Sequence, residues 1–124
     1  RAALESGRVN QVLFVAAPAL FSELRGTYNT DGASELAIIN RYANVELLIL
    51  DDLGTEQATN TEWIQDRLYQ IVNRRHGELR PTIIRSNLDL ENLGKRIGAR
   101  NAWRILELVG PENCIEIVGE NLRE

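Results

Sequence analysis

Two adjacent carboxylates, Asp51 and Asp52, close a run of four large aliphatics, Leu47-Leu48-Ile49-Leu50. One carboxylate of such a pair can hold Mg²⁺, directly or through water, while its neighbour orients an attacking water, which is the division of labour that nucleotide hydrolysis needs. An apolar run followed by Asp also occurs at ordinary strand ends, where Asp starts a turn, so the pair alone leaves both readings open. A second polar feature, Ser86-Asn87, ends the β-branched stretch Pro81-Thr82-Ile83-Ile84-Arg85. A buried Asn needs a partner. If the two strands are neighbours, Asn87 lies beside the acids and can hold a water or a γ-phosphate oxygen; otherwise it forms a turn or caps the helix starting near Leu90. Arg100 and Arg104 are four apart and project from one helix face. Their planar forks match phosphate or carboxylate, the alternative being exposed salt bridges of little weight. Arg123, just past the last expected strand, reaches a phosphate in the same way or belongs to a charged tail.

The elements that must position these residues follow from periodicity. Gln11–Ala17 and Glu46–Asp51 read as strands, the second buried on both faces as in a parallel sheet covered by helices. Acids at the C-terminal end of such a strand sit where open α/β sheets place their ligands. Pro18 opens a short helix to about Tyr28, Pro being tolerated in a first turn, with Leu20, Phe21 and Leu24 as its apolar stripe. Glu35–Asn44 is a second helix, facing the sheet through Leu36, Ile39 and Tyr42-Ala43. Thr59 to Glu62 matches a capping box for a long helix to about His76, its stripe formed by Ile64, Leu68, Ile71 and Val72. Trp63 and Tyr69 flank that stripe, Trp63 as a core or helix–helix residue rather than a base-stacking platform. Leu88 to about Leu108 is helical with a break near Gly94 or Gly98, and Cys114–Val118 is a last strand carrying a buried cysteine. Strands alternating with helices imply a parallel sheet.

At 124 residues the chain is one domain with ordinary globular composition, 26% charged. No apolar run approaches a membrane span, so no membrane partner is expected. The single Cys114 excludes an internal disulfide framework and fits a cytoplasmic setting. His76 lacks metal-ligand neighbours and reads as a surface residue. The net charge is −4, yet Arg67–Arg104 holds nine Lys/Arg against three Asp/Glu. That segment faces phosphates or an acidic partner, or simply forms solvated helix faces.

Several of these stretches in order (Leu47–Glu56, Pro81–Asn87, Leu90–Leu93, then Arg96-Ile97-Gly98-Ala99-Arg100 and Arg104) resemble the helicase-loader branch of the AAA+ ATPases, the replicative-helicase loaders of DnaC and DnaI type and the IstB-type transposition helpers. The similarity covers nearly the whole chain and implies a single domain over residues 1–124. It implies an αβα sandwich with a P-loop NTPase core, running from just after the Walker A helix to the sensor-2 region. It also implies roles: Asp51 as the Mg²⁺-associated acid of Walker B, Asp52 as the acid that polarises the attacking water, and Asn87 as the sensor-1 residue. Arg100 matches the arginine finger that reaches a neighbouring subunit's ATP, and Arg123 the sensor-2 arginine. The implied cofactors are ATP and Mg²⁺. The implied partners are the replicative helicase, single-stranded DNA and further copies of the chain, met through the face bearing Arg100.

The chain departs from that pattern in one large respect. No Gly-x-x-x-x-Gly-Lys-Ser/Thr occurs, and the only Lys is Lys95. The resemblance therefore implies a chain that begins just after the phosphate-cradling loop, with its N-terminal part missing. Without that cradle this polypeptide is expected to bind ATP weakly or not at all, hydrolysis belonging to a parent protein. Arg85 stands where a small or hydroxylated residue is usual, beside the acids, and Ala99 replaces a common acid. Two other readings stay open: a transposition helper acting on double-stranded DNA, and a non-catalytic interaction domain that keeps the fold.

Overall fold

The computed structural model describes residues 11–27, 32–54 and 61–115. Three strands, β1 (Val12–Ala16), β2 (Leu47–Asp51) and β3 (Thr82–Ile84), form a parallel sheet in the order β1-β2-β3. The crossovers are helical: α1 (Ala17–Arg25) and α2 (Gly32–Asn44) link β1 to β2, and α3 (Thr61–Gly77) links β2 to β3. Then follow α4 (Leu90–Ile97), α5 (Ala99–Val109) and a 3₁₀ turn, Pro111–Asn113. The alternation expected from sequence is present. The expected last strand lies partly outside the described residues, and its start is corrected: Cys114 and Ile115 follow the 3₁₀ turn as exposed, non-strand residues.

One face of the sheet carries the core. Leu48 and Leu50 are fully buried against Leu20, Phe21 and Leu24 of α1 and the Ile64/Leu68/Ile71/Val72 stripe of α3. The other face is a correction to the expectation of a β2 covered on both sides. Register places Phe14, Ile49 and Ile83 side by side, and Phe14 and Ile83 are 59% and 47% exposed. Leu36, expected to face the sheet from α2, is also exposed, whereas Ile39, Tyr42 and Ala43 are buried as their spacing predicts. His76 lies at the surface as expected, partly covered by α5: its Nε2 is 3.5 Å from Glu107 Oε1.

A buried cation ties the crossovers to the sheet. Arg75 on α3 is fully buried. It donates to the carbonyls of Tyr42 (2.9 Å) and Val45 (2.8 Å) at the end of α2, to Pro81 O (2.6 Å) and to Thr82 Oγ1 (2.7 Å). A helix end leaves carbonyls without intrahelical partners, and one guanidinium satisfies them together with the entries to β2 and β3. Burial lowers its pKa to about 10, with Arg80 nearby acting in the same direction.

The chain reverses between α4 and α5 at Gly98, one of the two positions expected for the break. Its φ is +92°, and a Cβ there would stand 2.9 Å from Gln65 Oε1 on α3, so only glycine fits. Asp89, not Asn87, caps α4: its Oδ1 accepts from Asn92 N–H at 2.8 Å.

Candidate functional site

The acids sit at the C-terminal end of the central strand. Asp51 is the last residue of β2, paired with Ala16 of β1. Its Oδ1 accepts the Asp52 N–H at 2.9 Å and lies 3.2 Å from Arg85 Nε. Asp51 is half-buried while Arg85 is mostly exposed. Asp52 is half-buried and left-handed, φ +56°, a conformation that Asp tolerates better than most residues. The reversal takes the backbone out of the sheet. It continues through buried Leu53 to Gly54 at φ +92°, where a Cβ would stand 2.9 Å from Leu88 and Leu93.

The end of β3 is bound to this turn. Leu53 N–H donates to Arg85 O (3.1 Å), and Ser86 Oγ donates to Leu53 O (2.7 Å) while accepting from Leu88 N–H (3.1 Å). β2 and β3 are thus neighbours, but β3 ends at Ile84, short of the expected Asn87, which lies exposed three residues further on, next to the Ser86 that binds this turn.

Among the described residues no group of three His, Cys, Asp or Glu could form a metal cage. A lone strand-end carboxylate nevertheless fits Mg²⁺, which takes one or two protein carboxylates and completes its shell with waters and substrate phosphates. Arg85, on the same carboxylate, competes for that position.

Arg100 lies elsewhere, at the start of α5. The first turn of α3 and the α4–α5 junction enclose an open cleft of about 670 Å³, lined by Trp63, Gln65, Arg67, Gly98, Arg100 and Asn101 among others. Its lining includes neither Asp51, Asp52 nor Asn87. Arg100 stacks on the Tyr69 ring, 3.9 Å from its centroid. Arg104, one turn on, donates to Glu107 Oε1 at 2.8 Å. The Tyr69 hydroxyl and then Glu107 hold its pKa above the ordinary arginine value. The two arginines share a face, as their spacing predicts.

Most of the basic segment is engaged within the fold, which favours its bland reading. Arg67 binds Glu35 and Asp66, Arg80 binds Glu78, Lys95 lies near Glu91, and Arg74 donates to Asn40 and Asn44. The half-buried Trp63 ring lies between Arg25 and Arg67, 5.4 and 5.1 Å from their guanidinium carbons, a contact between α1 and α3 as its sequence position suggests. Arg123 and the capping residue Thr59 lie outside the described residues.

Two residues of the site escaped sequence reasoning. Tyr69 was legible only as an aromatic flanking the α3 stripe. Asn101 is 1% exposed and donates from Nδ2 to Gln65 O (3.0 Å) and Ile97 O (2.8 Å), fixing the start of α5 to α3. A polar residue in the buried phase of an amphipathic helix was the available signal.

No family model matches the chain. It is 31% identical over 93 residues to the replicative helicase loader DnaC of Escherichia coli K12, covering 75% of this chain and 37% of that protein. The chain thus spans little more than a third of the length of the curated relatives it matches. Among solved structures it resembles the DnaC helicase loader (TM-score 0.66, 24% identity, 86% of this chain and 62% of that one). It also resembles the replication initiator DnaA bound to AMPPCP and single-stranded DNA (TM-score 0.67, 20% identity, 87% of this chain and 31% of that one). The fold is that of a P-loop AAA+ domain.

Proposed function

Since the chain belongs to the DnaC-type family of AAA+ helicase loaders, we propose that it is the acid- and finger-bearing part of an ATPase that assists loading of the replicative DNA helicase onto single-stranded DNA. The observation that carries this reading is Asp51-Asp52 on the turn that leaves the central strand of a parallel sheet, held to the Ser86-Asn87 end of the neighbouring strand. In this reading Asp51 would hold Mg²⁺, which would supply charge neutralisation for the phosphates. Asp52, turned out of the strand direction by its left-handed backbone, orients the attacking water and accepts its proton. Asn87 holds that water or a γ-phosphate oxygen. Arg100 serves the ATP of a second copy, which agrees with its place in a cleft apart from its own strand-end acids. Arg123 contacts phosphate from the same subunit. The setting is the cytoplasm.

The test is steady-state ATP hydrolysis by the full-length protein, with and without single-stranded DNA. Asp52→Asn is expected to lower kcat by about 100-fold or more while nucleotide binding changes little. Arg100→Ala is expected to lower kcat further, by about 1,000-fold or more. The 124-residue chain alone is expected to bind ATP weakly, and micromolar affinity would contradict that. A full-length protein that neither binds nor hydrolyses ATP overturns the reading. Stimulation by double-stranded but not single-stranded DNA points instead to a transposition helper.

One observation favours a second reading, a non-catalytic interaction domain. The Arg85 guanidinium sits 3.2 Å from the carboxylate that would hold the cation, so Asp51 already has a structural partner.

A further inference from the structure

Arg100 is exposed yet not loose. Its guanidinium carbon lies over the Tyr69 ring of α3, 3.9 Å from the ring centroid, a distance that suits face-to-face stacking. Stacking uses the face of the guanidinium, attracted by the ring's electron-rich face. The N–H donors that grip a phosphate lie in the guanidinium plane and point outward from its edge. A ring beneath the guanidinium therefore restricts its orientation without consuming a donor. Among the described residues Arg100 makes no ion pair, whereas Arg67, Arg80, Arg85 and Arg104 each have a carboxylate partner.

The ring is itself held. Arg104 lies between the Tyr69 hydroxyl and Glu107, and Glu107 Oε1 also faces His76 Nε2 from α3. The backbone at Arg100 is fixed from both sides, by Gly98 packed on Gln65 and by the buried Asn101 amide bound to Gln65 O and Ile97 O. Platform and backbone are each anchored by contacts to their neighbours, and the Arg100 guanidinium lies over the ring.

We propose that Tyr69 is the positioning residue for Arg100, presenting the guanidinium with its donor edge outward to an anion on a second copy of the chain. This rests on the finger reading given above. Restraining a long side chain before it meets its anion removes conformational entropy that binding would otherwise cost.

The test compares wild type, Tyr69→Phe, Tyr69→Leu, Arg100→Ala and the Tyr69→Leu/Arg100→Ala double variant in steady-state ATP hydrolysis by the full-length protein. Tyr69→Leu is expected to lower kcat about tenfold with KM within about twofold, and Tyr69→Phe, which keeps the ring, to stay within about twofold of wild type. The double variant is expected to be no slower than Arg100→Ala alone, because both changes remove one function. If Arg100→Ala is impaired but Tyr69→Leu is not, Tyr69 has no positioning role and the finger reading stands. If Arg100→Ala hydrolyses at the wild-type rate, the finger reading itself fails and the role of Tyr69 with it. Should Tyr69→Leu not fold, the Arg100 Nε–Hε resonance decides: an upfield ring-current shift in wild type and Tyr69→Phe supports the proposal, and an unshifted resonance overturns it.

Discussion

At the scale of single residues, Asp51 and Asp52 are distinguished by backbone, not by residue type. Asp51 continues the strand and is engaged by Arg85, whereas Asp52 turns at φ +56° and leaves the sheet direction. Adjacent residues in a strand point to opposite faces; the left-handed turn changes where the second carboxylate is carried. A β-branched residue tolerates that conformation poorly, so Asp52→Val is expected to lose about 1–3 kcal/mol of stability in denaturant unfolding. Asp52→Gly, free of strain, is expected to lose activity with little change in stability. Equal destabilisation by both would show that the carboxylate, not the backbone angle, matters to folding. Removing Arg85 separates the two functional readings: with Arg85→Ser, an ATPase is expected to show a lower Mg²⁺ requirement, measured as the Mg²⁺ concentration at half-maximal rate. An interaction domain would show only a change in stability.

At the scale of elements, Arg75 holds the crossovers in place. Its fork satisfies carbonyls from the end of α2 and the entry to β3, groups that come together only in the folded chain. Replacing it with Leu leaves several buried acceptors without donors, and a loss of about 3–5 kcal/mol is expected by chemical denaturation. Arg75→Leu within about 1 kcal/mol of wild type would show that water replaces the fork. A second link joins α1 to α2, where Tyr42 Oη donates to Glu23 Oε1 at 2.9 Å and accepts from Arg41. Burial, the largest cause, raises the Tyr42 pKa above its ordinary 10.0; Arg41 opposes this and Glu23 adds to it. The folded phenol thus keeps its proton longer than the unfolded one. Its contribution to stability is complete below pH 10.0 and is lost as pH rises through the folded value. Tyr42→Phe is expected to flatten that alkaline fall in thermal unfolding midpoints.

For the molecule as a whole, the uneven sheet matters most. Parallel sheets are normally covered on both faces, yet here Val12, Phe14 and Ile83 are 49%, 59% and 47% exposed. Exposed apolar surface of this kind drives association. The 124-residue chain is therefore expected to self-associate as its concentration rises, and Phe14→Ser to shift it toward monomer in light scattering. A wild-type chain that stays monomeric across concentration would contradict this. Net charge has less to say, because the basic segment is largely consumed in local pairs such as Arg67 with Glu35 and Asp66. A steep salt dependence of any DNA affinity is consequently not expected from that segment, since counterion release scales with the cations left to meet phosphates.

Sequence alone determined the alternation of elements, because the periods of the Leu20/Phe21/Leu24 and Ile64–Val72 stripes and of β2 are local properties of the chain. It also determined that Asp51 and Asp52 fall at the end of β2, since a strand's length and its first polar residue are both written in order; Asn87, expected to close the third strand, lies three residues beyond Ile84, where β3 ends. The break at Gly98 was legible to within a few residues for the same reason. What only the tertiary structure decided depends on residues far apart in sequence. The pairing of β2 with β3 brought Ser86 to Leu53, and the packing of α3 on α5 brought Arg100 onto Tyr69 and Asn101 onto Gln65. Which face of the sheet is covered, why Arg75 is buried and why Leu36 is not were set by the same long-range packing. A hydrophobic period says that a side chain has a neighbour, and only the fold says which one.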